Sequence, residues 1–437
     1  MSSEKLSPEI VFPYNIGVVL AVNAIPDAYL VLDGPGCSFY RAMVVHGRHD
    51  WTSTLLSSDG HHRFQYAGVN VNAVAADCEA MVRDAIAKVA ALPRCAVVLV
   101  TSLPMCTVAS TDYGRVLREA AAKKPHALVA GSSLSGNWFA GYAATLEAIA
   151  QQMDLSGARP AKNKVAIVGN FMDRGEGDHR GNIKEFARLL EALGLELVSC
   201  WPSGAPYERL RDLRRAGTLI SLPYGRKAAA VLAQRLKVRL IETEVPFGLE
   251  ASAAWLRKIA KALGKERAAE RFIDGELGRI VPRLEWVVPY AFLNKRIVFV
   301  GDPHLVRGLR SIAEELGARV SGAFLTGPAP EKNLKDPAIV YVPRVSELRA
   351  AWRDLEARDG VDLLISHTDG IAMLKPSGAA MEFGFPSVWT HSLREEPFLG
   401  FAGYIAFVDR MANTLTQQRG RPLRRTAPAP ASRKVHS

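Results

Sequence analysis

Two cysteines stand where a strand should be turning into a helix. "AYLVLDGPGCSFYRA" passes from an apolar run through Gly-Pro-Gly to Cys37, and "VVLVTSLPMCTVAS" passes from a like run through Leu-Pro-Met to Cys106. Gly34 and Gly36 permit tight backbone geometry, and Pro35 stiffens it. A cysteine at a helix N-terminus meets outward-pointing N–H groups, which favour the thiolate as nucleophile or metal ligand. The plainer alternative is a cysteine packed as a small hydrophobe. Two thiolates at the ends of neighbouring strands of one sheet can face one ligand. A 4Fe-4S cluster wants four ligands, so the others must come from another chain or another residue type. Cys78 lies in an apparent helix, Cys95 begins a strand and Cys200 ends one, so these three read as structural.

Histidines are the second source of chemistry. His46, His49, His61 and His62 crowd "VVHGRHDWTSTLLSSDGHHR", but no spacing matches a common zinc motif, and the stretch reads as a polar loop near a subunit interface. His391, in "WTHSLREEPFLGF", has a side chain that titrates near neutrality and is a candidate proton donor. Its alternative is a surface-loop histidine. "GNFMDRGEGDHRGN" is neither a G-x-G-x-x-G nor a Walker loop, and reads as a polar loop capping a helix. "GDPH" at 301–304 is a single-glycine turn.

The elements that must hold these residues follow one pattern. A short Val/Ile/Leu strand, a Gly-bearing turn and an amphipathic helix recur at "CAVVLVTSLP", "KVAIVGNFM", "KRIVFVGDPHL" and "VDLLISHTDG". Continuous apolar strands alternating with helices predict parallel sheets covered on both faces. Gly194 and Gly317 stand where helix C-caps belong. The expected fold class is therefore α/β: three doubly wound, Rossmann-like domains with parallel sheets around a central cleft. The boundaries fall at 1–160, 161–290 and 291–397, with a last helix over 398–418 packing back on the body. Open α/β sheets bind ligands beyond their C-terminal strand ends. The loops after "VAIVG", "RIVFVG" and "DLLIS", with "THSLREEPF", should then line one cavity into which His391 projects.

Composition agrees with a chain that buries a real core. Of 437 residues, 48% are hydrophobic and 23% charged. Five cysteines without repeated spacing do not make a disulfide framework, which points to a reducing, cytoplasmic setting. "NIGVVLAVNAIPDAYLVL" carries Asn23, Pro26 and Asp27 and is not a signal-peptide core, and no run of uninterrupted apolar residues is long enough to span a membrane. More than half of the net charge of +11 sits in "RGRPLRRTAPAPASRKVHS", residues 419–437, which holds six Lys/Arg and no acid. Its Pro/Ala/Arg composition predicts a disordered, solvated tail rather than a nucleic-acid-binding arm.

Along almost its whole folded length, about residues 11–416, the chain resembles the component 1 superfamily of nitrogenase and its relatives, the dark-operative protochlorophyllide and chlorophyllide reductases and related cofactor-maturation and tetrapyrrole reductases. "DGPGCSFY" is similar to that family's His-Gly-Pro-x-Gly-Cys-x-x-Tyr cluster loop, with one residue missing and Asp33 in place of His. "SSDGHHRFQYAG" resembles the acidic loop that follows, with its acids replaced. "TSLPMCTVASTDY" resembles the Cys-x-x-x-x-Ile-Gly-Asp-Asp loop with the cysteine slightly shifted. "SGNWFAGYAATLEAI", "VGNFMDRGEGD", "VFVGDPHLVRGLRSIAEELG" and "GFAGYIAFVDRM" follow in the family's order. The departures are equally informative. The region before Cys37, "IVFPYN", lacks the further cysteine of cluster-bearing subunits, and "ISLPYGR" lacks a cofactor-anchoring one.

The resemblance implies a nitrogenase-like reductase subunit with a simple cluster, not a subunit holding the large molybdenum cofactor. Cys37 and Cys106 would bind a 4Fe-4S cluster shared with a partner subunit, either a paralogous component 1 chain or a second copy. A separate ATP-hydrolysing iron–sulfur protein would supply electrons, since no P-loop occurs in this chain. A small-molecule substrate would lie in the inter-domain cleft, and His391 would sit at the position of a cofactor anchor. Two readings compete: a non-catalytic scaffold for metallocofactor assembly or supporting subunit, and an iron-free α/β small-molecule binder.

Overall fold

The computed structural model describes residues 10–68, 78–106, 111–131, 136–330 and 335–419; residues 420–437 of the predicted tail lie outside them. Among the described residues thirteen strands make three sheets. The first holds β1 (Ala28–Asp33), β2 (Phe64–Tyr66), β3 (Val97–Ser102) and β4 (His126–Leu128) in the order β2-β1-β3-β4. The second holds β5 (Ala161–Val168), β6 (Glu196–Trp201), β7 (Ala216–Ser221) and β8 (Arg239–Glu242), ordered β6-β5-β7-β8. The third holds β9 (Arg296–Gly301), β10 (Arg319–Leu325), β11 (Ile339–Tyr341), β12 (Leu363–Ser366) and β13 (Ala379–Glu382), ordered β11-β10-β9-β12-β13. Every pairing is parallel.

This is the predicted α/β class. The central strands β1, β3 and β12 are buried along their whole length, which is why they read as unbroken apolar runs. In each sheet the chain winds one way, returns to the middle and winds the other. The reversals fall between β1 and β3, between β5 and β7, and between β9 and β12. Loops leaving adjacent strands diverge at such switch points and open a crevice there. Gly194 and Gly317 close the helices Gly177–Glu191 and Val306–Glu315 at positive φ, 68° and 69°.

Long helices weld the sheets together. "YNIGVVLAVN" is a helix, Tyr14–Asn23, buried at every residue. It crosses the helix Trp138–Gln152 so closely that a Cβ on Gly17 would lie 1.7 Å from the Trp138 carbonyl oxygen, and one on Gly141 would lie 1.9 Å from that of Tyr14. Trp138 Nε1 donates to the Thr326 carbonyl at the end of β10 (3.3 Å), and Tyr142 Oη donates to the Asn170 carbonyl after β5 (2.8 Å). The helices Leu249–Leu263 and Glu266–Leu284 follow β8, and the last helix, Gly400–Arg419, lies against β13 and the helix Gly177–Glu191. Gly17→Ala should therefore force these two helices apart. Overpacking of this kind costs about 1–3 kcal/mol, and chemical denaturation should show a loss in that range. An unchanged midpoint would mean that the crossing relaxes without strain.

Candidate functional site

The switch points of the second and third sheets face one another across an enclosed, largely apolar cavity. Asn170 to Arg174 enter it after β5, Leu222 and Tyr224 after β7, Asp302 after β9 and His367 after β12, while Trp138 closes one side. The three loops predicted to converge do converge. Of "THSLREEPF", only Phe398 reaches the lining.

Four charged groups pack at one wall. His179 is bracketed by two carboxylates: Nε2 lies 3.0 Å from Asp173 Oδ1, and Nδ1 lies 3.1 Å from Asp178 Oδ1. Arg174 is four residues before Asp178 on the same turn, and its guanidinium grips that carboxylate. Burial alone would push the imidazole towards neutrality, but Asp173 and then Asp178 raise it to about 9. Burial opposes ionisation of both aspartates, yet His179 holds Asp173 and Asp178 far below the usual carboxylate range. The group is thus two anions and two cations, balanced in a dry wall. His49 completes it: its Nδ1 accepts from Ser387 N (2.8 Å), so the proton sits on Nε2, which donates to the Asp173 carbonyl (2.9 Å).

The opposite wall is different. Asp302 is partly buried and accepts from Tyr224 Oη (2.6 Å) and from its neighbour His304 N (2.7 Å). No cation offsets it. Burial, with Asp173 adding to it against the two hydrogen bonds, raises its carboxyl to about 7. His367 is held neutral, at about 4, by burial. Its Nδ1 accepts from Gly370 N (3.3 Å), leaving Nε2 without a hydrogen-bond partner among the described residues. His304 is also kept neutral, at about 4, by burial.

The cysteines occupy the third switch point. Asp33 of β1 pairs with Ser102 of β3, and each chain carries its cysteine four residues further on. Cys37 lies in the short 3₁₀ turn Gly36–Ser38 and is exposed; Cys106 is buried. Burial, then the adjacent Asp33 carboxylate, pushes the Cys106 thiol up to about 12. Tyr113 Oη donates to Asp33 Oδ2 (2.5 Å). Around Cys37 the surface is apolar: Tyr40, Met43, Tyr66 and Met105 are all exposed. Cys78, Cys95 and Cys200 are buried, as structural cysteines should be. Among the described residues no group of three or more His, Cys, Asp or Glu could hold a metal ion. Of the two candidate ligands, then, Cys37 presents its thiol at the surface, while Cys106 lies buried beside Asp33 as a neutral thiol.

His391 needs a correction. It does not reach the cavity. Its Nδ1 hydrogen-bonds Glu176 Oε1 (2.6 Å), and its ring stacks on Trp51 at 3.8 Å, in an open groove shared with Arg48, Trp389 and Leu393. Glu176 draws the 390 loop onto the second domain, and this takes His391 away from the cleft. The residues that sequence reading left unassigned are Asp173, His179, Tyr224, Asp302 and His367. A signal was present, since each lies within six residues of the end of a switch-point strand, except His179, which rides on the following helix.

With this geometry in view, the class is an α/β protein of three parallel sheets. Residues 14–416 match the family described as nitrogenase component 1 type oxidoreductase, and the chain belongs to that family. It is 23% identical over 307 residues to the nitrogenase molybdenum-iron protein beta chain of Frankia alni, covering 63% of this chain and 57% of that one. It is 25% identical over 315 residues to the corresponding beta chain of Clostridium pasteurianum, covering 65% and 66%. The chain thus spans little more than half the length of the Frankia relative. The solved structure of nitrogenase Cp1 at pH 6.5 superposes with a TM-score of 0.77 at 19% identity, over 94% of both chains. No helix of the described residues is long and apolar enough to cross a membrane.

The bracketed histidine gives a signed prediction. A group whose pKa is raised on folding stabilises fully below its unfolded value, near 6.5, and loses that contribution as pH rises through about 9. Melting temperature should fall between pH 7 and 9.5 in the wild type, and this slope should flatten in His179→Ala. At pH 6 that variant should lose about 3–5 kcal/mol, the usual cost of stripping one partner from a buried ionic group. A loss below about 1 kcal/mol would show that the wall is not held by charge balance.

Proposed function

We propose that this chain is a subunit of a nitrogenase-like reductase. The observation that carries the reading is the register of Cys37 and Cys106: equal offsets from paired residues at a switch point, on an apolar face. These two thiols would hold one side of a 4Fe-4S cluster, whose chemistry is to accept and release single electrons, and a second component 1 chain would supply the remaining ligands. The relatives are named as alpha and beta chains, which supports a paralogous partner or a second copy. An ATP-hydrolysing iron–sulfur protein would be the electron source. In this reading residues 1–160 bear the cluster, 161–290 and 291–397 bound the substrate cavity, and 398–418 brace the body. The substrate is a small molecule taken into the cavity, and the protein works in the cytoplasm. His391 belongs to the groove, so proton supply at the cavity falls to the groups that line it.

The chain's own residues have clear tasks there. The Asp173–His179–Asp178–Arg174 wall keeps balanced charge close to the substrate without presenting a bare ion. The apolar rings exclude water, which strengthens each remaining polar contact. A scaffold reading has one observation in its favour, the lack of a third metal-ligating group among the described residues.

One experiment separates the readings. The anaerobically purified complex should contain iron, and Cys37→Ser should lose at least half of it. Because Cys37 is exposed, melting temperature should barely move. Unchanged iron in the variant would remove Cys37 from the cluster. Iron present without ATP-dependent electron uptake from the iron–sulfur partner would favour the scaffold.

A further inference from the structure

The cavity holds two polar groups that the balanced wall does not use. Asp302 and His367 leave adjacent strands, β9 and β12, at the third sheet's switch point. His367 has its Nδ1 occupied, so its proton is on Nε2, and that N–H has no partner among the described residues. Asp302 and Tyr224 share one hydrogen bond. When the carboxyl is protonated, the pair owns two O–H groups and consumes one in that bond. The surplus O–H, on either residue, is left for whatever occupies the cavity. A buried donor left unmade costs about 1–3 kcal/mol, so two of them facing an apolar space favour an occupant that accepts hydrogen bonds.

We propose that Asp302, with Tyr224, and His367 form the recognition end of the cavity, two donors for the acceptor atom of a small uncharged molecule. This deepens the reductase reading and takes from it only that the cavity is the substrate site. The occupant must be uncharged for a physical reason. The charges facing Asp302 from the second domain, Asp173, Arg174, Asp178 and His179, already cancel one another, while His304 and His367 on its own domain are neutral. An anion would meet the Asp302 carboxyl, and a cation would meet the unpaired imidazole N–H of His367, both in the lining. The rings of Trp138, Phe171 and Phe385 on the remaining sides suit a flat or unsaturated body.

The test uses isotope-labelled acetonitrile, a small neutral acceptor whose nitrile stretch shifts when it takes a hydrogen bond, added to the purified complex. Difference infrared spectra should show a protein-bound, hydrogen-bonded nitrile at pH 6, diminishing with a midpoint near 7, where Asp302 loses its proton. Asp302→Asn, which keeps the shape and an N–H donor, should hold the band constant across that range. Tyr224→Phe removes a bond that favours the carboxylate, so its midpoint should move up. His367→Phe should weaken the band at every pH. No bound nitrile band at any pH, or a midpoint that survives in Asp302→Asn, would overturn the proposal. The iron count of Cys37→Ser is read on a different domain: its failure removes the reductase reading, while the nitrile titration still decides the donor pair.

Discussion

The arrangement of the whole molecule depends on one short segment, Asp173 to His179. Within seven residues it contacts all the bodies that surround the cavity. Asp173 receives His49 from the first domain. Gly175 N donates to Asp50 Oδ2 (2.8 Å), which also takes Asn23 Nδ2 (2.7 Å) from the buried first helix. Glu176 accepts from Trp51 N (3.1 Å) and from Ser392 N (2.8 Å) and binds His391, joining the first domain to the 390 loop. Arg174 reaches the Thr390 carbonyl (3.3 Å). Parallel sheets leave their switch-point loops unpaired by construction, and something must hold three sets of them at fixed separation. Here the segment's own ion pairs fix its shape, and its hydrogen bonds to residues 49–51 and 390–392 tie the loops to it.

Charge balance also explains why the two walls of the cavity behave differently. On one side each anion has a cation within hydrogen-bond reach, so burial strengthens the group. On the other, Asp302 has only hydrogen-bond donors, and burial pushes its carboxyl into the range where it titrates near neutrality. The two outcomes arise within one cavity, from opposite pairing of the same residue type.

Much of this was legible beforehand, and for a common reason. Unbroken apolar strands such as "VVLVTS" and "LLIS" declare two-sided burial, and from that the parallel sheets, the three-domain plan and the convergence of loops follow. That the backbone turns before Cys37 is visible in Gly34, Pro35 and Gly36. What stayed hidden depends on partners distant in sequence. Nothing near His391 announces Glu176, 215 residues away, so the histidine that seemed to aim at the cleft is instead pinned in a groove. His49, placed among loop histidines, proves to be wholly buried against Asp173. "GNFMDRGEGDHRGN" reads as a polar loop capping a helix; it leads into the helix Gly177–Glu191 without a side-chain cap, and polarity alone does not say that its charges are buried and matched. Strand order, which selects the switch points, is likewise a long-range property that no local pattern encodes.

The central claim, that the segment 173–179 clamps loops of the first and third domains around the cavity, is tested most directly by amide hydrogen exchange read by mass spectrometry on Glu176→Ala. Glu176 lies outside the cavity lining, so the substitution probes the clamp and not the ligand site. The account predicts faster exchange in residues 49–52 and 387–399 together, with the strand cores β5 and β9 unchanged. Acceleration confined to residues 173–182, with both distant loops as protected as in the wild type, would contradict it.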